Sequence, residues 1–89
     1  MARFAEIARV VDAVQWGGKE DTNRILNWLA SFETNLKGWA FHDTDIAIPS
    51  IRGKETCLPG HWIVRTNEGC FWSYKDEDFH KTYKITSSF

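Results

Sequence analysis

Two aromatic-rich stretches, His61-Trp62-Ile63-Val64-Arg65-Thr66 and Cys70-Phe71-Trp72-Ser73-Tyr74, stand three residues apart, and that spacing constrains this chain more than any other feature. The residues between them, Asn67-Glu68-Gly69, place Gly last. That suits a type I turn followed by a bulge, where Gly takes a positive φ at little cost. The two stretches therefore read as an antiparallel hairpin. With Thr66 opposite Cys70, Val64 falls opposite Trp72 and Trp62 opposite Tyr74. One face then carries Trp62, Val64, Trp72 and Tyr74, while Ile63, Arg65, Phe71 and Ser73 point the other way.

One helix is expected over about 21–35. Asp21 or Thr22 can cap its first turn by accepting from the free backbone donors. Ile25, Leu26, Trp28, Leu29 and Phe32 recur at three- and four-residue spacing, a broad apolar stripe, with Arg24, Asn27, Ser31 and Glu33 opposite. Gly38 is the residue expected to take the left-handed conformation past its end. Before the helix, Val10 to Trp16 reads as a mostly buried strand closed by Gly17-Gly18. After it, Ile46-Ala47-Ile48 is a short strand whose edge or end is marked by Pro49, which has no N–H for a ladder. Pro59-Gly60 is a turn. Asp76, Glu77 and Asp78 precede Phe79 and Tyr83, four apart, so a short helical turn is expected near 76–82. Residues 1–89 then form one α+β domain: a small, curved, mainly antiparallel sheet with one principal helix packed on it.

Size agrees with a single core, since a chain of 10.3 kDa buries roughly 64% of its unfolded surface. Eleven basic against twelve acidic side chains leave a net charge of −1. Binding dominated by phosphate neutralisation needs a basic excess, so nucleic acid is not expected as the main partner. Two cysteines are too few for a disulfide scaffold. No apolar run follows a basic start, and none approaches the roughly 18 residues of a membrane span. An intracellular setting without membrane attachment is the expectation.

Catalytic patterns come up short. The glycines match neither a phosphate-cradling loop nor a dinucleotide fingerprint, and no Ser or Cys sits in a nucleophile motif. Asp43 with Asp45, and Asp76 with Asp78, lie in polar turn contexts that favour solvation over a carboxylate dyad. Cys57, His61, Cys70 and His80 are zinc-type donors, but their spacing fits no familiar module. No enzyme, metal or cofactor is expected. What stands out is five Trp, six Phe and two Tyr in 89 residues, more rings than a single core of this size is expected to need. Trp and Tyr dominate binding hot spots. The expected partner surface joins Trp72 and Tyr74 with the cations Arg65, Lys75 and Arg52.

Five strings in register resemble a family of small proteins encoded by tailed bacteriophages and prophages. They are Val11-Asp12-Ala13-Val14-Gln15-Trp16, Ile48-Pro49-Ser50-Ile51-Arg52-Gly53 and Leu58-Pro59-Gly60-His61-Trp62-Ile63-Val64, then Gly69-Cys70-Phe71-Trp72 and Lys75 through Tyr83. His61 departs from a usual Asp, Cys70 from an acidic residue, and Ser73-Tyr74 from Pro-Cys. The resemblance implies a phage setting but no reaction, because the family carries no general activity. Taken together, these features lead to the expectation of a non-enzymatic phage accessory protein. It would act in the host cytoplasm by binding a host protein or complex, such as a defence complex or a polymerase, with homodimer formation as an option. The alternatives are a small-molecule sponge for a nucleotide-type signal and a minor virion component.

Overall fold

A computed structural model describes residues 3–6, 9–50 and 53–87 of the chain. The strands are β1 (Arg3–Glu6), β2 (Arg9–Gln15), β3 (Ala40–Phe41), β4 (Ile46–Ser50), β5 (Gly53–Cys57), β6 (Trp62–Arg65), β7 (Phe71–Tyr74) and β8 (Lys84–Ser87). The helices are α1 (Thr22–Ala30) and α2 (Asp76–Thr82). The α+β class is as expected, but two antiparallel sheets replace the single one. The larger has strand order β7-β6-β2-β1-β8, and the smaller has β3-β4-β5. Pro49 lies inside β4 opposite Lys54, beyond Ala47, where pairing with β3 stops. On that side no ladder bond is asked of it.

The hairpin register is as read from sequence. Trp62 pairs with Tyr74, Ile63 with Ser73, Val64 with Trp72 and Arg65 with Phe71. The Thr66 N–H donates to the Cys70 carbonyl and the Gly69 N–H to the Thr66 carbonyl, with Gly69 at φ 85°. The pairing of Val14 with Ile63 and of Ala13 with Val64 continues the two faces across β2.

Both faces are covered, and the aromatic surplus follows from this. On one side Val14, Trp16 and Ile63 pack with Ile25 and Leu29 of α1 and with Ile46, Ile48 and Cys57 of the smaller sheet. On the other, Val11 and Val64 pack with Phe79 and Tyr83 from the α2 region, with Trp62 and Tyr74 alongside. The Trp62 ring stacks on Phe79 at 4.1 Å between centroids, and the Trp62 indole N–H donates to Asp76 at 2.8 Å. Two thin interiors on either side of one sheet absorb more rings than one interior would. Trp16, Phe79 and Tyr83 are buried. Trp28, Phe32, Trp39, Phe41, Trp62, Phe71, Trp72 and Tyr74 are half-buried. The large apolar side chains left exposed among the described residues are Leu36 and Leu58, neither of them a ring.

Helix α1 stops earlier than its apolar stripe. Glu33 adopts φ 54° and ends it, so Gly38 has no part in the termination. The Glu33 N–H donates to the Ala30 carbonyl and the Thr34 N–H to the Leu29 carbonyl, the paired bonds of a Schellman stop. A side chain in the left-handed region is disfavoured by about 1–2 kcal/mol, and Gly avoids this while losing more chain entropy. Glu33→Gly is therefore expected to stabilise the domain by about 0.5–1 kcal/mol, read as a higher urea midpoint at unchanged slope.

The start of α1 differs as well. Asp21 occupies the cap position but its side chain accepts from no backbone N–H of the first turn. Its carboxylate accepts from the Gly17 N–H at 2.9 Å and from Arg24 Nε at 2.7 Å, and Arg24 also donates to the Gln15 carbonyl. The Arg24 hydrogen bond holds the Asp21 carboxyl below its ordinary value. A depressed carboxylate contributes stability above its unfolded value near 4, and that contribution is lost as pH falls through the folded value. Asp21→Asn is expected to cost about 1 kcal/mol at pH 7. In urea melts its gap to the wild type should close as pH drops below about 4.

Candidate functional site

Where α1 ends against the hairpin, a ring cluster opens to solvent as a cleft of about 510 Å³. Its walls come from four places. Phe32, Thr34 and Asn35 follow α1, Trp39 precedes β3, and Pro49 and Ser50 end β4. Arg65, Gly69, Cys70, Phe71 and Trp72 come from the hairpin. The Schellman stop fixes the first group by turning the chain at Glu33 across the hairpin's turn end. Gly38 (φ 89°) lies against the Pro49 ring, where an added Cβ would approach to 3.2 Å. This close approach brings Trp39 in beside β4.

The rings hold one another in edge-to-face geometry. Trp39 meets Phe71 at 5.1 Å, Trp28 meets Phe71 at 6.1 Å, and Trp28 meets Phe32 at 5.4 Å. Trp39 stacks on Phe41 at 5.9 Å. Such pairs contribute about 0.5–1.5 kcal/mol each beyond area burial, so the wall is preorganised. The Arg65 guanidinium lies over the Phe32 ring at 4.2 Å and faces Asp12 at 4.0 Å, its cross-strand neighbour. The Arg65 side chain is 25% exposed. Among the described lining residues it is the only formally charged group, Asp12 lying outside the lining.

The outer edge of β7 is not open. The Ser73 N–H, which points away from β6, donates to the Glu55 carboxylate at 2.9 Å, and the smaller sheet lies against this strand. Addition of a foreign strand is thereby blocked, a common way of protecting sheet edges. Nearby, burial pushes the Cys57 thiol up to about 11, so it is held as a neutral thiol.

The expected partner surface divides. Arg65 and Trp72 both border the cleft. Tyr74 lies on the other side of the sheet, its ring edge-on to Tyr83 at 5.6 Å and its hydroxyl 3.4 Å from that of Tyr83. Lys75 is exposed at the start of α2, beside a shallow depression formed with Pro59, His61 and Glu77. Arg52 lies outside the described residues. Alternation sets Arg65 and Phe71 on the opposite face from Tyr74, whereas Trp72 shares the parity of Tyr74 and only borders the cleft from the strand. Phe32, Trp39 and Phe71 lie outside the surface expected from the sequence. The register did place Phe71 beside Arg65, and that was the available signal.

No family model, curated protein or solved structure matches this chain. Function therefore rests on what the surfaces can do chemically. A second depression, lined by Gln15, Trp16, Asp21, Arg24 and Trp62 among others, has its charged groups already bonded to each other and to backbone. Cys57 ends β5 and packs into the interior under the smaller sheet's inner face, whereas His80 sits on α2 across the larger sheet, so these zinc-type donors are not gathered. Among the described residues no three His, Cys, Asp or Glu side chains form a metal-binding group, and no helix is long and apolar enough to cross a membrane.

Proposed function

We propose that this chain is a non-enzymatic bacteriophage accessory protein that acts in the host cytoplasm by binding, and that its binding site is the aromatic cleft. The cleft is the observation that carries this reading. Its volume falls in the roughly 300–1,000 Å³ range of small-ligand sites. Its walls are rings with a few polar groups, the usual composition of a site that grips by stacking and orients by hydrogen bonds. Docking of a host protein onto an exposed aromatic patch was the first expectation. That mode has less support, because every described ring is at least half-buried. Capture of a ring-bearing small molecule fits the geometry better.

Thermal-shift screening against nucleotides and other ring-bearing metabolites tests this directly. A ligand at about 100 times its Kd stabilises by about 2.7 kcal/mol, which raises the melting temperature by about 10 °C or more in a domain this size. Trp39→Ala should remove the shift. If no small molecule moves the melting temperature, and pull-down at physiological salt returns one host protein lost in Trp72→Ala, the host-protein reading replaces this one.

A further inference from the structure

We infer that the ligand of the aromatic cleft is a planar ring bearing a single negative charge, gripped by Arg65. This rests on the cleft being the working site, and it adds the ligand's charge. Arg65 offers five N–H donors in a rigid fork. None of them has a hydrogen-bond partner among the described residues, since its contacts are the ring of Phe32 and Asp12 at 4.0 Å, beyond hydrogen-bond reach. Contact with the Phe32 ring holds the guanidinium in place without using its N–H donors. One fork pairs with one carboxylate or one phosphodiester in two parallel hydrogen bonds. A polyphosphate would ask for several cations, and the described lining supplies one. No lining carboxylate repels the anion, and the ring of the ligand meets Trp39, Phe71 and Phe32.

Two matched pairs of probes distinguish the sources of such an anion: indole-3-acetate against indole-3-acetamide, and cyclic adenosine monophosphate against adenosine. Calorimetric titration should show the charged member of at least one pair binding about tenfold tighter or more than its neutral partner, by an advantage that shrinks with added salt. Arg65→Met, an unbranched apolar side chain without the charge, should erase that advantage, and Arg65→Lys should restore part of it. Asp12→Asn should tighten the anion by about two- to fivefold by freeing the guanidinium. If neutral and charged probes bind alike and Arg65→Met changes neither, the charge inference fails while the cleft stands as a site. If none of the four probes binds, the inference fails as well, and the cleft itself is then judged by the wider thermal-shift screen.

Discussion

Aspartate placed at Ile63 or at Val64 will unfold the domain. These neighbours on β6 point to opposite faces of the larger sheet, and each is fully buried. On a sheet with one wet face, one of the two substitutions would be nearly silent. Here Ile63 sits against α1 and the smaller sheet, and Val64 against Phe79 and Tyr83. A carboxylate at either place is stripped of water with no cation arranged to meet it, which costs several kcal/mol even when the group protonates instead. A chain of this length holds roughly 4–13 kcal/mol in total. Both variants are expected to show unfolded circular dichroism spectra at 25 °C, whereas aspartate at the exposed Thr56 leaves the spectrum unchanged. A folded Val64→Asp would mean that α2 does not cover its face.

Phe79→Ala is expected to be the most damaging truncation outside the main interior, at about 3–5 kcal/mol. Phe79 is fully buried, lies parallel to Trp62 with 5° between ring planes, and touches Tyr83 at 5.4 Å between centroids. Its loss leaves a cavity bounded by rings too large to collapse into it, and α2 is only seven residues long. Such a helix has little stability of its own and depends on tertiary packing. For a domain this size the loss lowers the melting temperature by roughly 12–40 °C, at about 4–8 °C for each kcal/mol. A calorimetric melt compared with Lys81→Ala, an exposed position on the same helix, checks this.

The hairpin and α2 were legible because their signals are local. Gly69 sets a turn, alternation sets the register, and three acids before Phe79 and Tyr83 announce a helical turn. The end of α1 was not legible, since nothing in the sequence marks a glutamate that adopts the left-handed conformation. Nor was the division into two sheets, which depends on pairing between distant segments such as β1 with β8. The aromatic count was read against a single interior, and a sheet covered on both faces removes most of the surplus. The expected surface also groups Arg65 with Trp72 and Tyr74, although the hairpin register itself sets Arg65 on the opposite face. Trp39 joins the cleft because Gly38 packs on Pro49, a contact across the chain that no short pattern announces.

Nitrogen–proton NMR of the indole groups gives the most direct test of the cleft as the working site. Titrating a ring-bearing ligand into labelled protein should move the indole signal of Trp39, and with it Trp72 at the rim. Trp16, buried in the main interior, and Trp62, bonded to Asp76 on the far face, should stay in place. Movement led by Trp62, with Trp39 unperturbed at saturating ligand, would contradict the account.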